Sequence, residues 1–152
     1  MSGQQELTKA RKYCSYQERS QQELRDKLYD WGLHKKEVEE AIALMITEGF
    51  LNEERFAIAF AGGKFRIKSW GKIKISMALK QKKVSENCIR TALRGIDEKE
   101  YRRSLAAVIE RYGSRNMLKQ PYLEKQRIAR YAIGKGYEPD LVWSLLREKH
   151  GA

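Results

Sequence analysis

Apolar residues recur in this chain at the spacing of amphipathic helices, in three stretches that share one pattern. The pattern of residues 24–42 returns 51 residues later at 75–93 and, after a further 53 residues, at 128–146. Five apolar positions correspond across the copies: Leu24, Ile75 and Ile128; Leu28, Leu79 and Ala132; Leu33, Val84 and Tyr137; Val38, Ile89 and Val142; and Ile42, Leu93 and Leu146. Self-similarity with a period near fifty residues is typical of a repeated supersecondary unit. The alternative is a chance likeness among three unrelated helical hairpins.

Each copy lies in a unit that we interpret as three short helices joined by tight turns. Ser20 and Glu23 have the spacing of a capping box, and Gly32 follows the next apolar stripe, where a helix can end in a left-handed residue. No segment alternates apolar and polar residues as a half-buried strand would. The pattern therefore predicts an all-α fold of three tandem three-helix repeats, over residues 1–51, 52–96 and 97–152, with a longer connection at 113–121.

The same periodicity predicts which side chains face the core. In the first helix of the middle unit it assigns five residues to the inner face: Phe56, Ala59, Phe60, Gly63 and Ile67. Two tryptophans, Trp31 and Trp143, are also expected in the core.

Composition agrees with a helical, water-exposed domain. Hydrophobic residues make up 41% of the chain and charged residues 34%, and only two prolines occur. No apolar run approaches the roughly 18 residues that cross a membrane. Cys14 and Cys88 are far apart and form no paired motif, which suits a reducing compartment. We expect a cytoplasmic protein without a membrane contact.

Positive charge is concentrated in the middle unit. The net charge of +11 divides into −1 for residues 1–51, +8 for 52–96 and +4 for 97–152. The stretch from 64 to 83 holds eight basic residues and no acidic one. Such a run is often only a solvated face, but its lack of acids favours a binding surface for phosphate or an acidic partner. The candidate residues are Lys64, Arg66, Lys68, Lys72, Lys74, Lys80, Lys82 and Lys83.

Other candidates are weaker. Two pairs of arginines in the third unit are secondary binding candidates: Arg102 and Arg103, and Arg127 and Arg130. Trp70 lies between Lys68 and Lys72, so it could stack on a base, although a tryptophan there more often packs between helices at a turn.

The chain offers no pattern for catalysis. Gly62-Gly63-Lys64 lacks the remaining residues of a phosphate-binding loop and follows no strand. His34 and His150 are 116 residues apart, and no cysteine or carboxylate spacing indicates a metal site. We therefore expect a non-enzyme with no cofactor and no metal.

Three segments together resemble the RecX family, bacterial regulators of the RecA recombinase. They are Arg19-Ser20-x-x-Glu23-Leu24-x-x-Lys27-Leu28; Gly49-Phe50-Leu51-Asn52-Glu53-Glu54-Arg55-Phe56-Ala57; and Gly71 before Ile75 and Leu79. The resemblance covers residues 9–148. The family often has aspartate where Glu53 stands and usually glycine where Lys83 stands, so the geometry of those two helix ends is in question.

The resemblance implies an elongated, curved, all-helical monomer that lies in the groove of the RecA filament on single-stranded DNA. Members of the family generally inhibit filament growth, ATP hydrolysis and strand exchange. Weak binding to bare DNA is a further expectation. Stacked repeats independently suit a long partner, and a positive stripe suits phosphate.

Two other interpretations stay open. A three-helix unit is also the frame of a helix-turn-helix DNA-binding protein, and Asn87 and Arg90 could read bases there. The other units lack a matching pair. Alternatively, the chain is a protein-interaction scaffold whose basic surface docks an acidic partner without touching nucleic acid.

Overall fold

The fold is all-α, as the sequence predicts. A computed structural model describes residues 2–115 and 121–149, and within these ranges it contains helices and no strand. The helices are α1 (Ser2–Tyr16), α2 (Gln21–Asp30), α3 (Lys35–Thr47), α4 (Glu53–Lys68), α5 (Lys72–Gln81), α6 (Glu86–Arg94), α7 (Glu98–Arg115), α8 (Pro121–Gly134) and α9 (Pro139–Lys149). No helix in the described part of the chain is long and apolar enough to cross a bilayer.

The three repeats share the same turn between their second and third helices. In each, one N–H bonds the carbonyl five residues earlier: Leu33 to Leu28 at 3.2 Å, Val84 to Leu79 at 3.2 Å, and Tyr137 to Ala132 at 3.3 Å. The preceding residue has a positive φ in every copy, +94° at Gly32, +65° at Lys83 and +105° at Gly136. This is the Schellman ending of a helix, in which the left-handed residue lets the chain satisfy its last carbonyls. The repeat is therefore the same in hydrogen bonding as in sequence.

The positions aligned in the sequence are core positions. Fourteen of the fifteen aligned apolar residues are buried, and the remaining one, Leu93, is half-buried. A shared core pattern with a shared turn explains the self-similarity without coincidence.

The chain divides into two compact units. Unit 1 comprises Met1–Phe60 and Leu79–Ala92, and unit 2 comprises Ala61–Ala78 and Leu93–Ala152. In unit 1, α1, α2 and α3 pack around a core that includes Leu24, Leu28, Val38 and Met45, none of which has any exposed surface. The predicted division into three units at residues 51 and 96, and the elongated, curved shape, stay predictions.

The start of α2 shows how closely the local sequence specifies these elements. The Glu23 N–H donates to the Ser20 hydroxyl oxygen at 3.0 Å, and the Ser20 N–H donates to a Glu23 carboxylate oxygen at 2.9 Å. This is the capping box that the spacing predicts, and it satisfies two N–H groups that the helix end leaves unpaired.

In unit 2, α7 packs on α8, and α8 packs on α9. Its core contains two large polar aromatics, Tyr101 and Tyr137, whose ring centroids lie 5.1 Å apart. Both hydroxyls have hydrogen-bond partners, as buried tyrosines generally do. The Tyr101 hydroxyl donates to a Glu138 carboxylate oxygen at 2.5 Å, and the Tyr137 hydroxyl donates to the Ser69 carbonyl oxygen at 2.9 Å.

The predicted inner face of α4 is wrong in part. Ile67 is 81% exposed and Ala59 is also exposed, whereas Ala57, Ala61 and Phe65 are buried. Apolar residues follow one another from 56 to 61, so they surround the helix and its periodicity cannot select one face.

Two other details differ from the predictions. Trp31 and Trp143 are half-buried rather than fully in the core, and Trp31 packs at the edge of the unit 1 core. α7 continues through Gly113 to Arg115, so the connection expected at 113–121 begins later. Residues 116–120 of that connection, and His150, lie outside the described residues, and Pro121 begins α8.

Candidate nucleic-acid and partner interface

The middle of the candidate surface is the short connection between α4 and α5. Ser69 takes a φ of +57°, a left-handed conformation that reverses the chain after α4. Its N–H donates to the Phe65 carbonyl oxygen at 3.0 Å. Lysines suit this place because the C-terminal end of a helix carries partial negative charge. We call residues 68–74 the basic turn, for its three cations Lys68, Lys72 and Lys74.

Residues that follow α8 hold the basic turn in position. The Lys135 ammonium group donates to the Lys68 carbonyl oxygen at 2.8 Å, and the Tyr137 hydroxyl bonds the Ser69 carbonyl. In the other direction, the Gly71 N–H donates to the Lys135 carbonyl oxygen at 2.8 Å. The place of these candidate cations is therefore set by contacts with the third repeat, within unit 2.

Trp70 lies in the basic turn with two candidate cations beside its ring. The ammonium nitrogen of Lys64 is 5.0 Å from the ring centroid, and that of Lys74 is 4.6 Å away. Trp70 and both lysines are half-buried. Such cation–π contacts fix the two ammonium groups close together on one ring. This arrangement does not test whether Trp70 stacks on a base or packs between helices at a turn.

Three candidate cations already have acidic partners in the chain. The ammonium group of Lys72 is 3.5 Å from a Glu98 carboxylate oxygen, and the Arg102 guanidinium is 3.4 Å from the other oxygen of Glu98. Lys82 pairs with Glu23 at 3.0 Å. Ion pairs at a surface contribute roughly 0–1 kcal/mol, so a phosphate or an acidic partner can exchange with these carboxylates at low cost.

Apart from the half-buried Lys64 and Lys74, the remaining candidates are solvent-exposed, and they divide between the two units. Lys80 and Lys83, with the paired Lys82, belong to unit 1 at the end of α5. Arg66, Lys68 and Arg103 are exposed in unit 2, where Arg66 and Arg103 line one surface pocket of about 320 Å³ together with Glu100. The last two candidates, Arg127 and Arg130, are exposed on α8 and do not line that pocket.

Two basic residues that the sequence analysis missed join Lys68 in a second pocket of unit 2. Arg111 of α7 and Lys135 line, with Lys68, a cavity of about 350 Å³. They are 43 and 67 residues from Lys68 in the chain and lie outside the acid-free run, so local charge counting could not select them. The repeat alignment offered one signal for Lys135. Gly136 corresponds to Lys83, which is a candidate cation, and Lys135 immediately precedes Gly136.

Positive charges gather around Lys135 in this pocket. The pKa of Lys135 is lowered, first by partial burial and then by the positive charges of Lys74, Arg111 and Lys68. A charge that is partly desolvated among like charges is held in an unfavourable state. An anion in the pocket would relieve it.

A metal site and the base-reading pair of a helix-turn-helix are the two other kinds of site in question. No group of three metal-ligating side chains occurs within residues 2–115 and 121–149. Asn87 and Arg90, the residues of the helix-turn-helix alternative, are exposed on α6, and the Arg90 guanidinium donates a hydrogen bond to the Asn87 amide oxygen. They are thus available to solvent but bonded to each other.

Comparison with known proteins places the chain in one family. The family model described as RecX, first three-helix domain, matches residues 7–43, and that described as RecX, second three-helix domain, matches residues 52–93. The structure is similar to the crystal structure of RecX from Lactobacillus salivarius, with a TM-score of 0.86 at 21% identity over 97% of this chain and 96% of that one. This likeness establishes the fold.

Relatives in sequence carry one description. The chain is 31% identical to a protein named Regulatory protein RecX from Clostridium perfringens (strain 13 / Type A) over 133 residues, 85% of this chain and 61% of the relative. It is 27% identical to the Regulatory protein RecX of Thermotoga petrophila over 146 residues, 95% of this chain and 84% of the relative. The chain thus spans about three fifths of the clostridial relative's length. With two RecX domain matches, these relatives and the shared fold, the chain belongs to the RecX family.

Proposed function

We propose that this chain regulates the RecA recombinase by binding in the groove of the RecA filament on single-stranded DNA. Its action is mainly inhibitory: by bridging successive RecA subunits it slows ATP hydrolysis, filament extension and strand exchange. Membership in a family of proteins named regulatory is the observation that carries the proposal. The protein works in the cytoplasm as a monomer, without a catalytic reaction or a cofactor of its own.

The exposed cations of α4 and α5 support the electrostatic part of the proposal. DNA in a filament carries phosphates, and exposed lysines and arginines release counterions when they meet phosphate. Arg66, Lys68, Lys80 and Lys83 are exposed and can make such contacts without rearranging the core.

Exposed apolar residues on α5 favour contact with protein as well as with DNA. Ile73 is 43% exposed and Met77 is 58% exposed, and their spacing of four residues places them on one helix face. Aliphatic side chains gain from burial against protein and gain little from phosphate. A partner that offers both acidic groups and apolar surface therefore suits these two kinds of exposed side chain.

The test is RecA's DNA-dependent ATP hydrolysis, titrated with wild-type protein and with a triple variant, Arg66→Glu, Lys80→Glu and Lys83→Glu. These side chains are exposed. Lys72 and Lys74 are half-buried against aromatic rings, so their substitution could affect folding as well as binding and is avoided. A matched control reverses three exposed lysines elsewhere, Lys12, Lys36 and Lys99, with the same change in net charge.

We expect the wild type and the control to suppress ATP hydrolysis and the triple variant to need at least tenfold more protein. Circular dichroism and thermal unfolding establish that all three are folded, since reversing exposed charges costs little stability. If the folded triple variant inhibits at wild-type concentrations, these cations are not the contact surface. No inhibition by the wild type would refute the proposed function itself.

A further inference from the structure

The pocket formed by Lys68, Arg111 and Lys135 has the features of a built site. Its three cations come from the end of α4, from α7 and from the residue after α8, so only the folded chain of unit 2 assembles them. None of the described residues that line the pocket is acidic. The cavity, about 350 Å³, is large enough for a phosphate group and part of the sugar attached to it.

Two of the three cations are held by backbone contacts rather than by ion pairs. The Lys135 ammonium group has three N–H donors, and one of them donates to the Lys68 carbonyl oxygen at 2.8 Å. The Arg111 guanidinium reaches the Ala107 carbonyl oxygen, one turn earlier on the same helix, at 3.4 Å. Both therefore keep donors for a ligand. Because charges of the same sign are gathered here, an anion is the ligand that stabilises them.

The wall of the pocket adds aromatic and apolar surface. The rings of Tyr112 and Tyr131 are stacked, with centroids 4.2 Å apart and planes 10° from parallel, and Tyr131 is 42% exposed. Ile67, at the same pocket, is 81% exposed. Cations beside an accessible tyrosine and an aliphatic side chain form the combination that binds single-stranded nucleic acid, in which phosphates meet the cations and unpaired bases meet the rings.

We propose that this pocket binds a phosphate group of single-stranded DNA, with the adjoining base against Tyr131 and Ile67. The inference rests on the proposed function and deepens it, because it names the nucleic-acid contact of that regulator and adds to Lys68 two cations, Arg111 and Lys135, that lie outside the acid-free run of residues 64–83. A duplex, whose bases are paired and stacked, cannot offer one to the tyrosine wall and is expected to bind more weakly.

The test measures binding of a fluorescein-labelled oligothymidylate of about twenty nucleotides by fluorescence anisotropy, without RecA, at several salt concentrations. The variant is Arg111→Gln, since Arg111 is exposed and its loss leaves the core intact. The matched control is Arg147→Gln on α9, also exposed and outside the pocket. Arg111→Lys tests whether charge alone suffices.

We expect Arg111→Gln to weaken binding about three- to tenfold and to reduce the slope of log affinity against log salt by about 0.7, the change for one lost contact to single-stranded phosphate. Arg147→Gln should match the wild type, and Arg111→Lys should retain most of the affinity. Duplex DNA of the same length should bind less tightly.

Several outcomes would overturn the proposal. Equal binding by wild type and Arg111→Gln, or no binding of the oligonucleotide at all, excludes the pocket as a DNA contact. Equal competition by inorganic phosphate or by an acidic peptide at the same charge concentration would assign the pocket to those ligands. Because this assay contains no RecA, its result is independent of the ATP hydrolysis test, and either proposal can fail alone.

Discussion

Gly71 and Gly136 pack backbone to backbone, so closely that a Cβ atom on Gly71 would lie 2.2 Å from the Gly136 carbonyl carbon. Around this contact the Gly71 N–H bonds the Lys135 carbonyl at 2.8 Å, and the Ile73 N–H bonds the Gly136 carbonyl at 2.9 Å. These two hydrogen bonds form only because the backbones at Gly71 and Gly136 lie this close together. Any side chain at Gly71 would force them apart.

Gly71→Ala is therefore expected to destabilise the protein by about 3 kcal/mol, the upper end of the usual cost of overpacking, because the new methyl group meets backbone that cannot rotate away. The measurement is the midpoint of urea unfolding followed by circular dichroism.

The control is Gly63→Ala, in the middle of α4, where a Cβ atom would meet nothing within 4 Å. Alanine favours helix over glycine by about 0.5–1 kcal/mol, so this variant should gain stability. Destabilisation of the same size in both variants would mean that the close contact does not account for the effect at Gly71.

Lys83 holds the left-handed position that glycine holds in the other two repeats. Its φ is +65°, and a side chain there costs about 1–2 kcal/mol. Glycine removes that strain but loses more entropy on folding, about 0.4–1 kcal/mol. Lys83→Gly should thus raise the unfolding free energy by roughly 0.5–1 kcal/mol in urea titrations.

Lys83→Ala separates backbone strain from charge. It removes the same ammonium group but keeps a Cβ atom, so we expect no comparable gain. A similar increase in both variants would attribute the effect to relief of charge repulsion in the basic stretch.

Tyr101 and Tyr137 should make the protein sensitive to alkali. Burial raises the pKa of both hydroxyls, and for Tyr101 the hydrogen bond to Glu138 raises it further. Since the folded pKa exceeds the unfolded value of about 10, the stabilisation is complete below pH 10 and is lost as the pH rises toward the folded pKa. The urea concentration at the unfolding midpoint should therefore fall as the pH is raised from about 8 to about 11, chiefly above the unfolded pKa of about 10.

Tyr101→Phe should be less stable at neutral pH, because it leaves the Glu138 carboxylate and the Lys72 N–H without this partner, yet it should lose less stability above pH 10. Tyr122→Phe is the control, because Tyr122 is exposed. Parallel pH profiles for wild type and Tyr101→Phe would contradict a role for this hydroxyl.

The two thiols should differ in reactivity. Cys14 lies in the unit 1 core, and burial raises its pKa to about 11. Cys88 is half-buried; its hydrogen bond with Ser85 lowers its pKa, but partial burial and the Glu53 carboxylate raise it by more. At pH 8, with Ellman's reagent, Cys88 should react slowly and the buried Cys14 more slowly still, because the thiolate is the reactive form.

Cys88→Ser should then react with Ellman's reagent much more slowly than the wild type until urea unfolds the protein. Release from that variant at the rate of the wild type would show that the core around Cys14 opens readily under native conditions.

The sequence predicted the features that depend on neighbours in the chain. The capping box at Ser20 and Glu23, and the turn residue Gly32, follow from spacing alone because helix ends are satisfied locally. The predicted family is confirmed by the comparisons with known proteins, and the predicted all-α repeat fold by the structure. The interface residues from Lys64 to Lys83 stay predictions.

The features that could not be predicted from the sequence depend on contacts between residues that are far apart in the chain. The inner face of α4 is selected by the residues packed against it, since Ala57, Ala61 and Phe65 compete with an equally apolar set that ends at Ile67. The grouping of Arg111 and Lys135 with Lys68 requires the folded path of the chain, which no local charge count contains.

The hydrogen bonds that hold the basic turn can form only late in the synthesis of the protein. Lys68 and Ser69 receive their bonds from residues 67 and 68 positions later. A ribosome that adds about 5–20 residues per second needs roughly 3–13 seconds to deliver Lys135 after Lys68. For that interval the most positively charged part of the nascent chain is without the contacts that shape it, among the RNA and DNA of the cell. The basic stretch acquires its final form only when the last repeat is made.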